Sequence, residues 1–135
     1  MKTGSPLNVV AAVIWRDGRY LAVQRPAGKL MAGYWEFPGG KVEQGESLEQ
    51  ALVRELSEEL AITAVDFFLW RQVAHAYPDL EVLLHVFWVT SFHGKPLPLE
   101  NQSMLWVEPG GELPPFLQAD LEIVAELATV SLSRI

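Results

Sequence analysis

A chain of 135 residues, half hydrophobic and a fifth charged, is long enough to bury a core and has the balance of a folded intracellular protein. Its net charge of −7 argues against a nucleic-acid polymer as partner, since so acidic a surface repels a phosphate backbone. A small phosphorylated ligand would need divalent cations between it and the protein. The absence of cysteine excludes disulfides and thiolate metal sites. The longest apolar run, VVAAVIW at residues 9–15, is too short to span a bilayer, and the opening MKTGSPLN has no leader pattern. The expectation is one cytoplasmic domain over residues 1–135 with no membrane association.

VVAAVIW is apolar on both faces and is placed centrally in a sheet. The Asp17-Gly18 pair that separates it from RYLAVQR predicts a hairpin. PAGKLMAGY, residues 26–34, reads as a loop. WEFPGG predicts a short strand stopped by Pro38 and turned by Gly39 and Gly40. A helix follows, with Ser47 as N-cap, Gln50 completing a capping box, and Leu48, Leu52, Leu56 and Leu60 at every fourth position. DFFLWRQVAHAY and LEVLLHVFWVTSF are strand-like and meet at Pro78-Asp79, a second hairpin signal. SMLWVE at 103–108 predicts another strand, PGGELPPF a loop, and QADLEIVAELATV a final helix. This order predicts an α/β or α+β fold, a mixed sheet covered by two helices.

The first helix carries Glu55, Glu58 and Glu59 toward its C-terminus. At about 100° per residue with Leu48 at zero, Leu52 and Leu56 lie near 40° and 80° and Ala51 near 300°. Glu59 falls near 20° and Glu55 near 340°, inside the apolar stripe, with Glu58 beside it near 280°. Anions there oppose the helix dipole at roughly 0.3–1 kcal/mol each and repel one another. Arg54 is placed to pair with Glu58 but cannot neutralise three acids. Charge runs are commonly solvated helix faces; the wheel position favours instead a hard-cation site, since Mg²⁺ or Mn²⁺ takes carboxylate oxygens and removes both penalties.

Gly39 and Gly40 would let backbone approach a metal or phosphate, or would simply make a turn. No phosphate-loop motif is present. Lys41 and Arg25 offer positive charge, as substrate-binding or as plain surface residues.

Gly40, Glu46, Arg54, Glu55, Leu56, Glu58, Glu59 and Ile62 stand at the spacing G-x5-E-x7-R-E-U-x-E-E-x-G-U, U being a bulky aliphatic, and the chain thereby resembles the Nudix hydrolases. Eight of the nine defined positions match; the exception is Ala61, where the pattern has glycine. WEFPGGKVEQGE and HVFWVTSFHGKPLPLENQ resemble the MutT branch, with the bacterial CTP pyrophosphohydrolases at least as close. The resemblance implies an α/β/α sandwich and Mg²⁺-dependent hydrolysis of a nucleoside triphosphate, such as 8-oxo-dGTP, to monophosphate and pyrophosphate. It implies that Glu55, Glu58 and Glu59 ligate metal with the Gly39 carbonyl, that Glu55 is alternatively the base, and that Glu46 and Arg54 brace the loop and helix. Glu100 matches an outlying metal ligand or base of the family; a solvated loop glutamate is the plainer reading. Losing glycine at 61 is expected to cost a helix cap of about 1 kcal/mol and not activity.

By the same resemblance Arg25, Phe37 and Asp120 hold the nucleotide. Phe37 reads equally as a core aromatic and Asp120 as a helix N-cap. Asp120 stands where MutT has asparagine; an ionised carboxylate only accepts hydrogen bonds, which suits guanine's N1–H and N2–H₂ edge or cytosine's amino group. Substrates of the CTP or 5-hydroxy-dCTP type are therefore rivals to 8-oxo-dGTP. A Nudix enzyme acting on a sugar nucleotide or dinucleotide is a third reading, and a non-catalytic nucleotide-binding module a fourth. The scattered His75, His85 and His93 argue against zinc, and the five tryptophans read as core. Monomer and homodimer both remain open.

Overall fold

The computed structural model describes residues 6–133; residues 1–5, part of the stretch where a leader was sought, lie outside it. The strands are β1 (Leu7–Arg16), β2 (Arg19–Gln24), β3 (Trp35–Glu36), β4 (Gly39–Lys41), β5 (Thr63–Tyr77), β6 (Leu80–His93) and β7 (Met104–Val107). The helices are α1 (Leu48–Leu60) and α2 (Leu121–Ser133), the latter entered through a 3₁₀ turn at Gln118–Asp120. Among the described residues no helix is long and apolar enough to cross a membrane.

The sheet runs β3-β2-β1-β6-β5, with β4 also on β1 and β7 also on β2. β1 and β6 are parallel and the other pairs antiparallel, so the sheet is mixed as expected. Central placement suits β1 because both its faces are buried. Val10, Ala12 and Ile14 join Leu52, Leu56 and Leu60 of α1 in one core, while Ala11 and Val13 join Ile123, Val124 and Leu127 of α2 in the other. Asp17 and Gly18 both have positive φ, 53° and 77°, the backbone a two-residue primed turn requires. Pro78 and Asp79 connect β5 and β6 as read from sequence.

Three boundaries differ from expectation. β5 begins at Thr63 rather than Asp66, directly after the helix exit, and its register shifts around Asp66 and Leu69. The last helix opens with a 3₁₀ turn. Gly39 and Gly40, expected as a turn, form a strand on β1, pairing with Ala11 and Val10. The missing side chain makes that pairing fit: a Cβ on Gly39 would lie 2.0 Å from the Val10 carbonyl oxygen.

α1 starts as its sequence dictates. Ser47 Oγ accepts from Gln50 N–H at 3.0 Å and Gln50 Oε1 accepts from Ser47 N–H at 2.9 Å, closing the capping box. Ala61 ends the helix in the left-handed conformation (φ 59°, ψ 31°) and donates to Ser57 O at 3.1 Å. The chain thus keeps the glycine-type exit with alanine in it, at a cost of about 1 kcal/mol.

Candidate active site

The β4–α1 unit sets the acids. Arg54, on α1, organises most of them: Nε and Nη2 donate to the two oxygens of Glu46 at 2.7 and 3.0 Å, and Nη1 donates to Glu55 at 2.8 Å and Glu58 at 3.0 Å. Nη2 also donates to the Lys41 carbonyl at 2.9 Å, tying β4 to the helix. Arg54 therefore pairs with Glu55 and Glu46 as well as with the Glu58 that helical spacing indicated. This guanidinium contact holds the Glu46 carboxyl below the usual carboxylate range.

Glu59 is different. It is buried at 6% exposure, and among the described residues no cation pairs with it. Its Oε2 accepts the Gly39 N–H at 3.1 Å. Burial pushes its carboxyl up to about 8, with Glu100, Glu36 and Glu55 repelling further and the Gly39 N–H opposing the rise. Burial likewise raises Glu55, whose Arg54 contact lowers it and whose neighbours Glu58 and Glu100 raise it. A Cβ on Gly40 would lie 2.4 Å from the Glu55 carboxyl carbon, so the space that a side chain would fill holds a carboxylate instead.

Glu100 is brought to these acids by the β6–β7 connection. Leu97 N–H and Leu99 N–H donate to the carbonyls of Leu60 and Glu59, and Gln102 Nε2 donates to Glu59 O at 3.2 Å. These bonds satisfy carbonyls that the end of α1 leaves open. Gln102 Oε1 accepts from Glu100 N–H at 2.9 Å, which fixes the backbone of an exposed side chain whose charge reaches Glu36, Glu55 and Glu59. The hard-oxygen donor set, the uncompensated buried Glu59 and the side-chain-free Gly40 fit a divalent cation. In this conformation, among the described residues, no three His, Cys, Asp or Glu side chains stand at ligating spacing, and Glu58 points outward, bound to Arg54. The Lys41 side chain is exposed.

The residues expected to hold a nucleotide, Arg25, Phe37 and Asp120, lie around β3. Phe37 is buried in the α2-side core, its ring against Tyr20 and Phe116, which gives the plainer of its two readings; its backbone N–H faces Asp120 Oδ2 at 3.4 Å. Asp120 comes into place because Trp35 bridges to Phe116, with Trp35 N–H donating to Pro115 O and Leu117 N–H to Trp35 O. Its carboxylate therefore meets β3 and does not cap α2. Burial, with Glu36 repelling, pushes the Asp120 carboxyl up to about 8, against the Phe37 N–H and Arg25, which favours the protonated acid over the ionised form expected from sequence. In its protonated form Asp120 has one donor and one acceptor.

Arg25 does not reach the acids of α1. Its Nη1 lies 3.2 Å from both oxygens of Glu36, and its Nε donates to Leu30 O at 2.7 Å. Glu36 was missed in the sequence, although an acid alternating with Trp35 and Phe37 immediately before Pro38-Gly39 was a visible signal. His85 is a core histidine, between Asn8 and Gln72 at 2.9 and 2.8 Å, and burial lowers its pKa. His75 packs edge-on against Tyr77. Trp15 stacks on Trp88, and Trp70 meets Trp88 edge-on in the α2-side layer.

A NUDIX domain model matches residues 9–119, which contain every residue of this acidic unit. The chain belongs to the Nudix family. Over 132 residues this Nudix protein is 41% identical to the CTP pyrophosphohydrolase of Escherichia coli K12, covering 95% of this chain and 96% of that protein. It is 36% identical over 102 residues to the 8-oxo-dGTP diphosphatase of the same organism, covering 75% and 79% of the two chains. A solved structure described as MutT from Aliivibrio salmonicida and Vibrio cholerae superposes with a TM-score of 0.81 at 33% identity, covering 93% of this chain and 99% of that one.

Proposed function

We propose that the chain is a single-domain, Mg²⁺-dependent nucleoside triphosphate pyrophosphohydrolase of the MutT type, releasing a monophosphate and pyrophosphate from oxidised or surplus nucleotides. Mn²⁺ is the alternative ion. The observation that carries this reading is Glu59: a buried carboxylate lacking a cation among the described residues, on the inner flank of α1 among Glu55, Glu100 and the Gly39-Gly40 strand. Without a cation such a group costs several kcal/mol to keep ionised and tends instead to hold its proton; a divalent ion in the substrate complex would displace that proton and offset the cost. Glu55, Glu58, Glu59 and Glu100, with the Gly39 carbonyl, would hold the ion. When bound, it offsets polyphosphate charge and makes water a better nucleophile.

The chain's own groups do the rest. Arg54 and Glu46 lock Glu55 beside Gly40. Glu55, held in place by Arg54, is alternatively the acceptor for the attacking water's proton; Glu100 is the other candidate for that role. The protonated Asp120 carboxyl, held through Oδ2 by the Phe37 N–H, presents one donor and one acceptor to a base edge. Cytosine's amino group and N3 suit such a pair, as do guanine's N1–H and O6. A CTP or 5-hydroxy-dCTP preference is the second reading, favoured by the 41% identity to a CTP pyrophosphohydrolase.

The test is turnover of 8-oxo-dGTP, dGTP, CTP, 5-hydroxy-dCTP and ADP-ribose with Mg²⁺, following pyrophosphate. Pyrophosphate release from a triphosphate supports the proposal and ranks the bases. Preference for ADP-ribose would overturn the MutT assignment.

A further inference from the structure

Glu36 has no role in the chemistry above, yet it adds a further acid beside Glu59, Glu100 and Asp120. Next to a polyanion site a further carboxylate is unfavourable unless it is compensated. Its compensation is local. The β2–β3 ladder pairs Val23 with Glu36 and Gln24 with Trp35, and continues through Arg25 N–H to Tyr34 O at 2.9 Å and Gly33 N–H to Arg25 O at 3.0 Å. Arg25 and Glu36 are thus diagonal neighbours on one face of this hairpin, the face whose Val23 packs in the α1-side core.

Both oxygens of Glu36 lie 3.2 Å from Arg25 Nη1, with each side chain at 25% exposure. Arg25 Nε donates to Leu30 O, which ties the 26–34 loop to the same guanidinium. Among the described residues Nη2 has no acceptor. The charge of Glu36 is felt by Glu59 on one side and Asp120 on the other, and that of Arg25 by Asp120 and Tyr77. The charges of the pair therefore act on the acids of α1 and on Asp120 alike.

We propose that Glu36 is a positioning residue that fixes the Arg25 guanidinium, leaves Nη2 for the nucleotide, and through Leu30 anchors the 26–34 loop. The proposal rests on the nucleotide reading of the site. It assigns Arg25 to orientation of the ligand between its polyphosphate and its base, with Glu36 acting only through Arg25.

Glu36→Gln keeps the shape and removes the charge. It is expected to raise KM about tenfold with kcat within about threefold of wild type, the split for lost uniform binding. Added to Arg25→Gln it should change KM no further, because the two act as one unit. Two readouts do not need turnover: affinity for α,β-methylene-dGTP and α,β-methylene-dCTP, expected to fall by about the same factor, and amide exchange at Ala32, Gly33 and Tyr34, expected to quicken about tenfold. Unchanged exchange in Glu36→Gln overturns the anchoring role, whatever the protein hydrolyses. Quicker exchange with unchanged analogue affinity, or KM effects that add in the double variant, overturns the positioning of Arg25 for a ligand. A wild type that binds neither analogue and hydrolyses no triphosphate fails the nucleotide reading itself, and with it the ligand half of this proposal, while the exchange result still decides the anchor.

Discussion

Replacing Asp120 by asparagine should make the protein more stable at alkaline pH and leave it nearly unchanged in acid. Asp120 is buried at 5% exposure and faces Glu36, Arg25, the Tyr77 hydroxyl and the Phe37 N–H. Burial moves its carboxyl from an ordinary 3.8 to about 8. The native state therefore binds its proton more tightly than the unfolded chain does. This contribution to stability is fully present below pH 4 and is lost as pH rises through 8. At about 1.4 kcal/mol for each tenfold preference, the ceiling on the loss is roughly 6 kcal/mol. Backbone relaxation and water entry would bring the measured value to about half of that. Asparagine keeps an oxygen for the Phe37 N–H and never ionises. Urea unfolding at pH 5 and pH 8.5 is the assay, with the stability gap between Asp120→Asn and wild type opening by several kcal/mol at the higher pH. Parallel pH dependences for the two proteins would refute the reasoning.

Gly40→Ala would drive a methyl into the Glu55 carboxylate, so it should lower kcat at least about tenfold while the melting temperature moves by only a few degrees; steady-state kinetics beside a thermal melt separates the two. Ala61→Gly relieves the left-handed strain at the exit of α1 and should add about 1 kcal/mol of stability by denaturant unfolding, with activity unchanged. The Tyr20 hydroxyl is fully buried without a partner among the described residues, and burial raises its pKa to about 12. Tyr20→Phe should therefore stabilise the protein by about 1 kcal/mol in the same assay, and a loss of stability would mean that the hydroxyl is held by a bound water.

Much of this fold was legible because local signals and burial agree. Asp17-Gly18 made its hairpin, Ser47 and Gln50 their capping box, and the wheel angle of Glu59 put a carboxylate in the inner stripe where its low exposure is found. Gly39 and Gly40 were misread as a turn because glycine's local preference says nothing about how closely Val10 and Ala11 approach from β1. Asp120 carried two plausible local roles, and neither spoke to its protonation, which depends on Phe37 and Glu36 more than eighty residues away in sequence. Nothing in the linear pattern links Glu36 to Arg25, which meet only when the loop between them folds back into one ladder. Charge state and pairing across a sheet are tertiary properties, and a linear pattern holds them only where both partners lie on one element, as with Arg54 and Glu58.

The central claim is that the inward acids of α1 hold a divalent cation against a polyphosphate, and Glu59→Gln tests it most directly. Quantifying pyrophosphate released from the preferred nucleoside triphosphate with saturating Mg²⁺ should give a kcat at least about a hundredfold below wild type, with the fold intact by circular dichroism. Activity within a few-fold of wild type would contradict the account, since a buried carboxylate that can lose its charge without consequence is not holding the ion.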